Sequence, residues 1–120
     1  MQKPRVLIAF HDPGYLLSLE NLFKLFGYDV VTAETEQDML SVLKDGNFQL
    51  CLMDVNLGRP GEKYTEPAEK AYEIIRRGEE STRFLALSGD PEIVRYASDK
   101  GLPCKTKASF NIREFIYDTR

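Results

Sequence analysis

The sequence has only two cysteines and one histidine in 120 residues. Neither cysteine belongs to a CxxC and no Cys/His cluster occurs, which argues against a zinc site. Cys51 lies in an apolar run and Cys104 in a short strand candidate, so both read as thiols of a reduced, cytoplasmic chain. No apolar run approaches the roughly 18–20 residues that cross a bilayer, so no membrane association is expected. The opening "MQKPR" has no apolar signal region behind it, so no secretory leader is expected either. Basic charge is scarce. A formal charge of -3 and a pI near 5.2 argue against the clustered Lys and Arg that nucleic acid requires. The densest basic spot, "IIRRG", reads as a solvated helix end. Internal repeats and low-complexity segments are absent. What remains is an ordinary globular composition, 42% hydrophobic and 29% charged, sufficient for one domain over residues 1–120 with its own core.

Strand and helix patterns alternate along the chain. Val6–Phe10 is an apolar run with no polar face, as in a strand covered on both sides. Asp12 follows as an N-cap with Pro13 at the first helical position. Leu16, Leu19, Phe23 and Phe26 then recur at helical spacing up to Gly27. Tyr28–Ala33 reads as a strand. Thr35 and Asp38 resemble a capping box that opens a helix carrying Met39, Leu40, Val42 and Leu43, stopped near Gly46. Phe48–Met53 is a second buried strand ending at Asp54. A long irregular piece, "NLGRPGEKYTEP", leads to a helix with Ala68, Ala71, Ile74 and Ile75 inward. Phe84–Leu87 is a third buried strand, ending in Ser88 and Gly89. "DPEIV" repeats the Asp–Pro helix start, and that helix closes at Lys100–Gly101. Pro103–Lys107 is a short polar strand, and a last short helix carries Ile112, Phe115 and Ile116.

Five strand–helix units with short links predict an α/β fold, a parallel sheet with helices on both faces. The wholly apolar strands belong in the centre and the polar ones at the edges, which predicts the order 2-1-3-4-5 of a flavodoxin-like doubly wound sheet. Ligands of such sheets bind beyond the carboxyl ends of the strands. That rim would gather Phe10–His11–Asp12, Asp54, Ser88 and Lys107. A carboxylate, a hydroxyl and an ammonium so placed suit a hard cation and a phosphoryl group.

The stretches "VLIAFHDP", "LCLMDVNLG", "LALSGD" and "TKASF" resemble the four signature segments of the response-regulator receiver domain, in the right order and over nearly the whole chain. The resemblance implies two-component phosphorelay signalling rather than enzymatic turnover. Asp54 would accept a phosphoryl group from a histidine kinase or phosphotransfer protein, with Mg2+ beside it. It implies that the Asn56 backbone carbonyl completes the metal shell, that Ser88 is the switch hydroxyl, and that Lys107 pairs with the phosphate. A change on the face of helix 4, strand 5 and helix 5 would then alter affinity for a downstream protein. Several positions depart from the pattern. The slots of the usual metal-holding acid pair hold Phe10 and His11, with Asp12 one place late. Gly58 stands where the family has proline, and Cys104 where it has the aromatic switch residue. Lys107 precedes Ala108 rather than proline, so a trans bond there, with a different aim for the lysine, is expected.

Each residue has a plainer reading. Asp54 is a polar strand terminus, Ser88 a turn residue before Gly89, and Lys107 a guard on an edge strand. His11 reads as a rim histidine bonded to a backbone carbonyl, with metal ligation as the alternative; Mg2+ prefers oxygen. Asp12 reads as a helix cap that could also reach a cation through water. The weakened acid pair implies a weak or lost Mg2+ site and opens a second reading, a pseudo-receiver that binds proteins without phosphorylation. An unrelated flavodoxin-like binder or small phosphatase would need a second catalytic acid that the sequence does not offer. "GRPGEKYT" lacks the Gly-Lys-Ser/Thr run of a phosphate loop and reads as a surface loop near Asp54, a lid or docking element. "IREFIYDTR" is short for a final helix.

Overall fold

The structure is a computed structural model that describes residues 3–78 and 81–117. Five parallel strands, β1 (Arg5–Ala9), β2 (Asp29–Ala33), β3 (Leu50–Asp54), β4 (Arg83–Ser88) and β5 (Cys104–Thr106), form one sheet in the order β2-β1-β3-β4-β5. Helices α1 (Pro13–Leu25), α2 (Glu36–Lys44), α3 (Glu66–Arg77), α4 (Pro91–Asp99) and α5 (Ile112–Tyr117) connect and cover them. The predicted strand order, parallel pairing and central position of the apolar strands are all present.

The central strands are apolar on both sides because two cores flank the sheet. Leu7, Ala9, Cys51 and Met53 face a core with Met39 and Leu43 of α2, Ala68 and Ala71 of α3, and Ile93 and Ala97 of α4. Their sequence neighbours Val6, Ile8, Leu50 and Leu52 point the other way, against Leu16, Leu19 and Phe23 of α1 and Phe115 of α5. The alternation follows from the period of two in a strand. Helix starts are set locally. Asp12 Oδ1 accepts from the Gly14 N–H at 2.9 Å, Thr35 Oγ1 from the Asp38 N–H at 3.1 Å, and Asp90 Oδ1 from the Glu92 N–H at 2.9 Å. Gly27, at φ +88°, turns the chain out of α1 in a conformation that glycine adopts without strain.

The differences from the sequence reading lie at element ends. Phe48 is buried but precedes β3, and β3 includes Asp54. β5 stops at Thr106; Lys107 opens a single 3-10 turn, Lys107–Ser109, and is not a strand residue. The Thr106 hydroxyl causes this by accepting from the Ser109 N–H at 3.2 Å, which folds the chain back before another ladder bond can form. The final "DTR" of the last helix candidate lies beyond Tyr117, outside the described residues. Among the described residues no helix is long and apolar enough to cross a membrane.

Candidate functional site

The strand register brings three of the four rim segments to Asp54. β1 pairs with β3 so that Ala9 stands beside Met53, which puts Phe10 and His11 next to Asp54. β4 pairs with β3 so that Leu87 stands beside Asp54, which puts Ser88 one residue further along the same rim. β5 pairs with β4 so that Thr106 stands beside Ser88, and Lys107 follows at the turn.

Asp54 is 1% exposed. Burying a carboxylate is costly unless both oxygens find partners. They do. Oδ2 accepts from the His11 backbone N–H at 2.9 Å and lies 2.7 Å from His11 Nδ1. An ionised carboxylate can only accept, so Nδ1 carries the proton of that bond. Oδ1 faces the Lys107 ammonium at 3.4 Å. A charged acceptor with these donors forms bonds stronger than neutral ones.

Lys107 is held from behind by two aromatic rings. Its Nζ lies 4.5 Å from the Tyr15 ring centroid and 5.5 Å from that of Phe10, and the two rings meet edge to face at 5.0 Å. Ring faces attract cations, the more so where water is partly excluded. Burial and the nearby Asp54 carboxylate both push the Tyr15 phenol above its ordinary 10.0, burial contributing more. Tyr15 therefore stays a neutral ring under the ammonium.

The other expected site residues have occupations of their own. Ser88 is buried, and its Oγ accepts from the Asp90 N–H at 3.1 Å, a bond within the β4–α4 turn. Asp12 is the α1 cap; the same Oδ1 also receives the Tyr15 N–H at 3.4 Å. The Asn56 backbone carbonyl accepts from the Arg59 N–H at 2.9 Å, while its side chain donates to the Glu62 carbonyl at 3.0 Å. That second bond ties Asn56 to the middle of the "GRPGEKYT" loop, whose residues 58–63 are exposed. Cys104 is half-buried, with its Sγ 3.1 Å from Ser98 Oγ and 3.3 Å from the Val94 carbonyl.

Three sequence expectations are corrected. His11 bonds the Asp54 carboxylate, where a backbone carbonyl was the expected partner. No cis peptide occurs among the described residues, yet Lys107 still aims at Asp54, because the 3-10 turn does the pointing. Lys107 is also no edge-strand guard, since it sits past the strand and inside the site. Two contributors went unnoticed as such: Phe10 and Tyr15, the bed of Lys107. Phe10 reads as the end of an apolar run and as one slot of the usual acid pair, not as a partner for a cation, and nothing in the spacing of Tyr15 marks it.

The Mg2+ implied by the resemblance does not fit these residues. Mg2+ demands near-octahedral oxygen ligation at about 2.0–2.1 Å. Near Asp54 one carboxylate oxygen bonds His11 and the other faces the Lys107 ammonium, and Asp12 Oδ1 caps α1. Among the described residues no three His, Cys, Asp or Glu side chains are grouped to hold a metal ion.

No family model and no curated protein matches the chain. Solved structures do. A CheY-like response regulator receiver domain protein from Methanospirillum hungatei JF-1 is 24% identical, with TM-score 0.72 over 98% of this chain and 90% of its own. A CheY-like receiver domain from Methylobacillus flagellatus is 14% identical, with TM-score 0.70 over 93% of this chain and 92% of its own. A response regulator from Burkholderia pseudomallei, solved with a phosphorylated aspartic acid, calcium ion and citrate, is 16% identical, with TM-score 0.73 over 98% of this chain and 66% of its own. With its strand order, its helices on both faces and these neighbours, the chain has the fold of the CheY-like response-regulator receiver domain.

Proposed function

We propose that this chain is a receiver module of two-component signalling, in which Asp54 accepts a phosphoryl group from a histidine kinase or phosphotransfer protein and the domain thereby changes its affinity for a downstream protein. The observation that carries the reading is the Lys107 ammonium 3.4 Å from a fully buried carboxylate at the mouth of the sheet. In the transfer, an Asp54 oxygen attacks phosphorus, the P–N bond to the donor imidazole breaks, and an acyl phosphate forms. The donor nitrogen leaves with the electron pair and takes a proton from water. Lys107 would balance charge on the phosphoryl oxygens, and Ser88, by releasing the Asp90 N–H, would donate its hydroxyl to one of them. Access to Oδ2 would require the His11 ring, whose side chain is 35% exposed, to swing off that oxygen. The partners are proteins, and nothing in the site suits a nucleic acid or a membrane. The free thiols of Cys51 and Cys104 suit a reducing cytoplasm.

One observation favours a second reading, a phosphorylation-independent interaction module: the 2.7 Å His11–Asp54 bond occupies one of the two carboxylate oxygens. Incubation with phosphoramidate or acetyl phosphate, followed by intact mass measurement, separates the two. The acceptor reading expects one added phosphoryl group, labile to hydroxylamine and absent from Asp54→Asn. No adduct, with or without divalent metal, would leave the second reading standing.

A further inference from the structure

We infer that His11 closes the Asp54 site to divalent cations, so that the fixed donors of His11 and Lys107 do the neutralising that a bound metal would otherwise do. This concerns the same site as the proposed function and shares its identification of Asp54 as the centre. The property belongs to the free protein and holds whether or not Asp54 is ever phosphorylated.

Four features of the site lead there independently. Asp54 Oδ2 receives both the backbone and the ring N–H of His11, at 2.9 and 2.7 Å. A ring nitrogen that donates has no lone pair for a metal, so Nδ1, the His11 nitrogen beside Asp54, is not a ligand in this pose. Oδ1 faces a lysine ammonium, and a dication in contact with that oxygen would stand against a fixed positive charge. That charge is favoured where it stands by the Phe10 and Tyr15 rings beside it. Finally, Asp12 holds two N–H groups at the start of α1 through Oδ1, and withdrawing the side chain from that place would uncap the helix. Phe10 is the other half of the device: at a strand end it supplies an aromatic face to a protein cation and no oxygen to a metal.

The test reads metal binding alone. Mn2+ is titrated into the wild-type protein and followed by the loss of the free-ion electron paramagnetic resonance signal; Mg2+ is followed by amide NMR shifts at residues 10–12, 53–56 and 107. The wild type is expected to sequester no Mn2+ through the low-millimolar range and to show no shifts localised to those residues. His11→Asp replaces the donor with an acid and should tighten Mn2+ binding by at least roughly tenfold, since ligand charge count tunes such sites. His11→Ala, which only removes the ring, should tighten it less, and it serves if the aspartate variant does not fold. Sub-millimolar binding by the wild type that Asp54→Asn abolishes would overturn the inference. So would failure of both folded His11 variants to bind better than the wild type, because something other than His11 would then be excluding the ion.

Discussion

Asp12 illustrates how one carboxylate oxygen can hold a helix start. One of its oxygens takes the N–H groups of Gly14 and Tyr15, two of the donors that a helix start leaves without partners. Asp12→Ala should therefore lower stability by about 1 kcal/mol in urea unfolding while leaving the unfolding slope unchanged. Cys51 is governed by its surroundings in a different way. Burial pushes its thiol up from the ordinary 9.0 to about 12, because nothing in the apolar core solvates a thiolate. The folded protein thus holds that proton more tightly than the unfolded chain does. Stability from this group is complete below about pH 9 and is lost as pH rises toward about 12. A thiol reagent near neutral pH should find Cys104 and spare Cys51 until denaturant is added; two rapidly reacting thiols in the native protein would contradict this burial.

At the scale of an element, α1 is joined to the sheet by one stripe. Leu16, Leu19 and Phe23 are buried against β1 and β3, while Leu17, on another face of the same helix, is 57% exposed. Phe23→Ala should cost about 3–5 kcal/mol, the loss of a large buried ring together with the cavity it leaves. Leu17→Ala should fall within about 0.5 kcal/mol of the wild type. Comparable costs for the two would mean that α1 packs on a different face. The turn after β5 shows the opposite balance of local and tertiary causes. Its hydrogen bonds are local, Thr106 to Ser109, yet its consequence is the aim of Lys107 at a carboxylate 53 positions earlier. The strand pattern continued through Lys107, and the hydroxyl two positions before Ala108 ended it.

Across the whole molecule, protection should follow the sheet from its centre outward. β3 is buried along its full length and paired on both sides, whereas β5 has three residues, one partner strand and partial exposure. Amide hydrogen exchange should be slowest over Leu50–Asp54 and markedly faster over Cys104–Thr106, since edge strands open without global unfolding. Equal protection of the two would mean that β5 opens only when the whole domain unfolds. Lys107 depends on the end of β5 for its position, so the site would sense that opening while Asp54, on β3, and His11, two residues past β1, would not.

The sequence by itself determined the architecture and the residues at the rim. Apolar runs without a polar face can only be strands covered on both sides, Asp–Pro pairs start helices through local bonds, and polar residues at strand ends must collect at one mouth of a parallel sheet. Asp54 and Lys107 were legible for that reason. Only the tertiary structure decided what those residues do to one another. His11 and Asp54 are 43 positions apart, and the register of β1 on β3, together with one ring rotation, makes them a hydrogen-bonded pair. Phe10 and Tyr15 become a seat for an ammonium only once the final turn brings Lys107 over them. Propensity and spacing act within about one helical turn, whereas a bond across the sheet depends on where two separate strands stop.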